Sequence, residues 1–244
     1  MRIAREYGPR ARVGIATPQA NPTVEPEMQA LLPASIGTYI TRLAHPASRV
    51  EDRLLHYIRN IPAAIACFGT LRLDALGFGC TGSSYLAGAK LEASLLNEAT
   101  TACQIPIITA ASAICSALNF LGATRIALVS PYPVNLAEAG YRYWHDHGFQ
   151  LSATLRVDDS LTDTHGIYEM TSDDALDALR QIDRSGADCL LASGTGMPTL
   201  RALRKVHSEF AVPVLSSNLC LAWALLKTVA PELVPNSPTE LLLR

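Results

Sequence analysis

Apolar, β-rich runs of five or six residues alternate along this chain with longer stretches of helical period. The runs are RVGIAT (12–17), TYITRL (38–43), DALGFG (74–79), IPIIT (105–109), RIALVS (125–130), DCLLAS (188–193) and VPVLS (212–216). Between them, EDRLLHYIRNIPAAIACFGTL and SDDALDALRQID place apolar residues three and four apart, with Ser172, Asp173 and Asp174 marking a helix start. Strand–helix alternation of this kind predicts an α/β fold, with parallel sheets covered by helices.

The pattern repeats. ARVGIATP at 11–18 matches TRIALVSP at 124–131, DALGFGCTG at 74–82 matches DCLLASGTG at 188–196, and IPIITA at 105–110 matches VPVLSS at 212–217. The offsets are 113, 114 and 107, in the same order, which predicts two pseudosymmetric lobes, 1–117 and 118–244. The last helical stretch, LCLAWALLKTVAPELV, either crosses back or closes the second lobe. Ligands of parallel α/β sheets bind beyond the carboxyl ends of the strands. There the repeat puts Pro18 opposite Pro131 and Cys80 opposite Gly194, so the two turns are expected to flank one interlobe cleft.

CTGSS combines a strand end, small residues and a helix start near Ser83 or Ser84. Backbone N–H groups at such a start favour an anion, and Thr81, Ser83 and Ser84 add hydroxyls. The same setting is expected to lower the Cys80 pKa, and thiolate is the reactive form. GTGMPT offers a matching cradle at Thr195 and Gly196, with hydroxyls at Thr195 and Thr199. The plainer reading makes both segments tight turns. Neither G-x-x-x-x-G-K-[ST] nor a post-strand G-x-G-x-x-G occurs, which argues against a nucleotide. Asn21 follows the first strand as a carboxylate donor or an Asx-turn, and Glu25 reads as a first-turn helix charge. Tyr132 follows the matching strand as a donor or a packing residue. Pro18 and Gln19 sit at the same strand end, and His165 lies in a loop within reach of the cleft. His145 and His147 in YWHDHG have no obvious third ligand, so no metal is expected.

Composition narrows the class. The chain has 244 residues, 49% hydrophobic and 17% charged, with a net charge of −2 and dispersed basic residues, so no nucleic-acid track is expected. No apolar run reaches the roughly 18 residues that span a bilayer, and the N-terminus lacks the apolar core of a signal peptide. A cytoplasmic protein is expected, with no membrane partner; a homo-oligomer stays open. The six cysteines are scattered without disulfide or zinc spacing, and Cys67 and Cys115 read as core positions.

ATPQANPTVEPEM, GCTGSS, SPY and SGTGMPTL, in that order, resemble the aspartate/glutamate racemase superfamily, in the branch of maleate cis–trans isomerases and arylmalonate decarboxylases. The resemblance spans essentially the whole chain. It implies two lobes, an interlobe site, no cofactor and thiol chemistry on a small carboxylate. Cys80 falls where the isomerases keep the cysteine that attacks the alkene carbon. Asn21 and Tyr132 fall where carboxylates are held, and Thr81, Thr195 and Gly196 fall in the two cradles. The Asn expected in the second lobe is replaced by DTHGIY, with Thr164 or His165 nearest. Gly194 stands where members usually carry a second cysteine. The resemblance therefore implies a Cys80-dependent isomerase first, a decarboxylase with Cys80 as proton donor second, and a non-catalytic carboxylate-binding protein third.

Overall fold

The computed structural model describes residues 5–243. Strands β1 (Ala11–Pro18), β2 (Ile36–Leu43), β3 (Ala75–Phe78) and β4 (Ile107–Thr109) form one parallel sheet in the order β2-β1-β3-β4. Strands β5 (Arg125–Ser130), β6 (Gln150–Arg156), β7 (Cys189–Ala192) and β8 (Val214–Ser216) form a second in the order β6-β5-β7-β8. The second order is the first with four added to each number. The α/β class and the repeat therefore meet in two parallel four-stranded sheets.

The repeat extends to single hydrogen bonds. The Asp74 carboxylate accepts from the Arg12 backbone N–H (2.8 Å), and Asp188 accepts from that of Arg125 (2.8 Å). In both sheets an acid before the third strand pins the start of the first.

Seven strands coincide with the apolar runs; β6 has no counterpart among them. It is an edge strand whose residues alternate exposed and half-buried. One face is solvated, so its sequence, QLSATLR, lacks the continuous apolar run of a strand covered on both faces. The central β1, by contrast, is buried throughout except at Arg12.

The helices are α1 (Val24–Leu31), α2 (Val50–Arg59), α3 (Ile61–Ala66), α4 (Thr81–Cys103), α5 (Ala110–Leu121), α6 (Val134–Asp146), α7 (Ser172–Gln181), α8 (Leu200–Val206) and α9 (Ser217–Val229). The long helical stretch before β3 divides at Asn60, just ahead of Pro62, because proline suits a first helical turn and not an interior. The start of α7 is fixed by a reciprocal cap between Thr171 and Asp174. The expected start near Ser83 moves forward to Thr81, with Cys80 as the cap residue, and α4 kinks at Gly88, where φ is 71°.

Residues 117 and 118, either side of the expected lobe division, both lie within α5. The last helix does cross back: α9 packs on α5, α1 and β3, and the Trp223 ring lies 5.2 Å from that of Phe120. Cys80, Cys115, Cys189 and Cys220 are buried, whereas Cys67 is exposed, which corrects its expected core position. Cys67 follows the short α3, and its thiol merely bonds the Ala63 carbonyl (3.4 Å).

Candidate active site

Four strand ends converge on one small cavity. Pro18 closes β1 and Asn21 follows it; Cys80 follows β3, Tyr132 follows β5, and Thr195 and Gly196 follow β7. All six line the cavity, together with Leu54 from α2, Gly82 from α4, and Thr164, Ile167 and Tyr168 from a 3-10 turn at His165–Glu169 and the residue before it. No Asp, Glu, His, Lys or Arg is among these lining residues. The free volume is about 30 Å3, roughly the share of one water.

Cys80 is 4% exposed. Burial pushes its thiol above the ordinary value. The Ser83 hydroxyl and the Ser83 and Gly82 N–H groups pull it down by less. This reverses the sequence expectation of a lowered pKa: the helix start supplies its donors, but removing the sulfur from water costs the charged form more. Ser83 donates its hydroxyl to Sγ at 3.1 Å.

Asn21 forms the anticipated Asx-turn. Its Oδ1 accepts from the Thr23 and Val24 N–H groups (2.9 and 3.2 Å), an Asx-turn that opens α1. That bond orients the amide, so Nδ2 faces the cavity and donates to Thr195 Oγ1 at 3.4 Å. Thr195 Oγ1 in turn donates to the Gly79 carbonyl (2.9 Å), tying the β7 turn to the β3 turn. Tyr132 is buried, which raises its phenol well above the ordinary value and keeps it a neutral donor.

Three anticipated residues stand behind the cavity wall. Ser83 holds the thiol. Thr81 donates to Ser217 Oγ (3.1 Å), which also accepts from the Gly194 N–H (2.9 Å). Gly194 has φ of +101°, and a Cβ there would lie 2.6 Å from Pro131 Cγ and 3.6 Å from the Tyr132 hydroxyl. The Tyr132 side chain thus occupies space beside the missing side chain at 194. Thr199, assigned to the second cradle, turns its hydroxyl to Glu27 instead (3.3 and 3.2 Å).

Gln19 and His165 line an adjoining outer cavity that shares Pro18, Leu54, Thr164 and Tyr168 with the inner one. His165 is exposed and pairs with Asp163 at 3.1 Å. Glu25 pairs with Arg42 at 2.7 Å, as a surface helix charge does. His145 and His147 are exposed at the end of α6, and no group of three or more metal-ligating side chains forms among the described residues.

Glu27 is the residue that sequence reasoning passed over. It is buried on α1 and accepts from the Thr199 and Leu200 N–H groups (2.6 and 3.0 Å) and from Asn218 Nδ2 (2.7 Å). Asn218 Nδ2 also donates to the Thr195 carbonyl (3.1 Å), so this carboxylate sets the β7 turn from across the interface. Burial raises the Glu27 pKa, while these donors oppose the rise. A signal existed: Val24, Glu27, Met28 and Leu31 form the buried face of α1 at helical spacing, with an acid in an apolar row.

The sequence profile of the arylmalonate decarboxylase family matches residues 13–242. A maleate isomerase of Nocardia farcinica is 29% identical, over 93% of each chain. The fold matches a maleate isomerase variant of Pseudomonas putida S16 with maleate at a TM-score of 0.84 and 22% identity, covering 95% of this chain and 97% of that one. It matches a cysteine-to-serine variant of the Nocardia farcinica maleate cis–trans isomerase, which holds a covalently bound succinylcysteine intermediate, at 0.83 and 23% identity, covering 96% and 99%.

Proposed function

We propose that this chain, which belongs to the arylmalonate decarboxylase family, is a cofactor-independent isomerase that interconverts cis and trans forms of a small unsaturated carboxylate such as maleate. One observation carries the reading: a single thiol, Cys80, lies in a small cavity among neutral hydrogen-bond donors, and no charged side chain lines that cavity. The maleate isomerase relatives and the succinylcysteine intermediate in one of them support the same chemistry.

The chemistry balances with one sulfur. The Cys80 thiolate adds to one alkene carbon. The π pair moves to the neighbouring carbon and spreads into its carboxylate. The former double bond rotates as a single bond. The pair then returns, re-forms the alkene in the trans geometry and expels the thiolate. Apart from the proton that the Cys80 thiol releases to solvent before attack and regains after the thiolate leaves, none is exchanged, so this cycle does not use a second thiol at position 194. Asn21 Nδ2, the Tyr132 hydroxyl and the N–H groups of Thr195 and Gly196 are assigned to the substrate carboxylates, where charge builds during addition. Ser83 steadies the departing sulfur. Pro18, Thr81 and Gly194 shape the turns, while Gln19 and His165 sit at the entrance. We assign the two lobes to the two sheets with their helices, and the working compartment to the cytoplasm, in keeping with six unpaired cysteines. No helix among the described residues is long and apolar enough to cross a membrane.

One feature favours a second reading. A thiol raised in pKa stays protonated, which suits a proton donor to the carbanion left by decarboxylation. Incubation with maleate, citraconate, arylmalonates and alkenylmalonates in heavy water, followed by NMR, separates the two. Cis–trans conversion of maleate or citraconate without carbon dioxide release is the expected result. Carbon dioxide release from a malonate, with deuterium at the α-carbon, would assign decarboxylation instead. Turnover of none of these, with unreactive Cys80, would leave a carboxylate-binding protein.

A further inference from the structure

Asn21 and Tyr132, the two side-chain donors assigned to the substrate carboxylates, are each held from behind by an arginine of an edge strand. Arg156, at the end of β6, donates from Nε to the Tyr132 carbonyl at 3.1 Å. Arg42, on β2, donates from Nη1 to the Asn21 carbonyl at 2.6 Å. The two arginines are equivalent in the repeat: Arg42 pairs in register with Thr17 of β1, and Arg156 pairs with Ser130 of β5. Both carbonyls precede a proline, Pro22 and Pro133, shortly before α1 and α6. A residue before proline has few backbone conformations open to it, so a bond to its carbonyl fixes where its side chain points. Neither arginine lines the inner or the outer cavity, so each reaches the site through the backbone it holds. Arg156 is the more deeply set. Its side chain is 13% exposed, and Nη2 donates to the Asp158 and Asp159 carbonyls at 3.1 Å each. Its ion-pair partner Asp159 (3.3 Å) is 87% exposed, so that pair contributes little. The segment it gathers leads on from β6 to the cavity wall at Thr164 and Tyr168. Arg42 is 41% exposed and shares its guanidinium with Glu25.

We infer that Arg156 and Arg42 are a duplicated pair of positioning residues. Each guanidinium fixes the peptide that carries one carboxylate donor, Arg156 that of Tyr132 and Arg42 that of Asn21. A donor set in place beforehand needs no reorganisation when charge builds on the substrate, so its anchor acts on the rate more than on binding. The inference rests on the reading of Asn21 and Tyr132 as carboxylate donors. It assigns the larger effect to Arg156, which is the less exposed and holds three carbonyls at once.

A double-mutant cycle tests it. Arg156→Gln, Tyr132→Phe and their combination are compared in kcat and KM on whichever of maleate, citraconate and the malonates the wild type converts, and in succinate affinity by calorimetry. Arg156→Gln alone is expected to lower kcat by about 10- to 100-fold, as loss of a charge-assisted bond does, with a smaller change in KM. In the Tyr132→Phe background the same substitution should cost less than about 3-fold, because the hydroxyl it positions is gone. Arg42→Gln, which serves the other donor, should cost as much in Tyr132→Phe as in the wild type. Arg156→Lys should restore part of the loss, since an ammonium can still bond the Tyr132 carbonyl. An Arg156→Gln loss that is equal in both backgrounds marks a purely structural tie and overturns the inference, and so does an unchanged kcat. If Arg156→Gln fails to fold, Arg156→Lys takes its place in the cycle under the same criterion. Maleate left unconverted while Arg156 and Tyr132 stay coupled in succinate affinity would sink the isomerase reading and leave this one standing. Maleate converted with the pair uncoupled would do the opposite, and a wild type that neither converts these acids nor binds succinate would overturn both.

Discussion

At the scale of the residue, the chemistry turns on the proton of Cys80. Burial holds that thiol above its ordinary pKa, so thiolate is scarce at neutral pH. An isomerase that attacks with thiolate should speed up by about tenfold per pH unit from neutrality until the Cys80 pKa is passed. A decarboxylase that needs the thiol should instead be flat and then fall through the same pKa. A pH–rate profile of kcat/KM therefore assigns the role of the sulfur by its sign. Cys80→Ser should lower turnover by about 10³-fold or more with the fold unchanged by circular dichroism; near-wild-type activity would remove Cys80 from the mechanism. Iodoacetamide should label exposed Cys67 first and Cys80 slowly, with the Cys80 rate rising toward alkaline pH. Mass mapping of the labelled peptides reads both rates.

At the scale of the element, the paired turns are alike in sequence and unlike in structure. After Cys80 the chain enters α4 at once, whereas after Gly194 it runs on through residues 195–199 before α8 begins at Leu200. The second turn is held open by Glu27, which takes the N–H groups at the head of α8 and the Asn218 amide. Four donors and no acceptor converge on that carboxylate, so Glu27→Gln sets a donor against a donor. The expected loss is about 1–3 kcal/mol in urea unfolding, together with weaker carboxylate binding, because the Thr195 turn loses its anchor. Unchanged stability and binding would show that the turn holds its own shape. Gly194→Cys, which the repeat invites as a way to arm the second turn, meets two obstacles: φ of +101° and Pro131 at 2.6 Å. A lowered melting temperature and no gain of deuterium exchange at an α-aryl carboxylate are expected, and a stable variant that racemises such a substrate would refute the geometry.

At the scale of the molecule, the two sheets are tied into one body. Asn21–Thr195, Thr23–Gly196, Thr81–Ser217, Tyr85–Ser193 and the Glu27 cluster all join the first sheet's turns and helices to the second's. α9 adds a buried apolar face against α5 and β3. Denaturant unfolding should therefore be one transition, coincident by tryptophan fluorescence, from Trp144 in α6 and Trp223 in α9, and by far-UV circular dichroism. Two resolved transitions would mean that the sheets are independent folding units.

Much of this was legible before any coordinates, for a physical reason. A strand covered on both faces must be apolar throughout, so buried strands such as β1, β3 and β7 are legible as apolar runs, the edge strand β2 is legible through its β-branched and aromatic TYITRL, and duplicated strands imply a duplicated sheet. Strand ends are where parallel sheets bind ligands, so Asn21, Cys80, Tyr132, Thr195 and Gly196 could be placed at one cavity from their positions alone. The edge strand β6 was hidden because a half-solvated strand has no obligatory apolar run. Contacts between distant segments were hidden for a deeper reason. Leu54 comes from a helix far from the motifs in sequence, while Glu27 and Tyr168 lie within the stretches ATPQANPTVEPEM and DTHGIY but meet distant segments, as Glu27 meets Thr199 and Asn218; local pattern does not encode which helix covers which strand end. The thiol's pKa belongs to the same class. A helix start is a local feature and lowers it, but burial is a property of everything packed around the sulfur, and in this fold burial prevails.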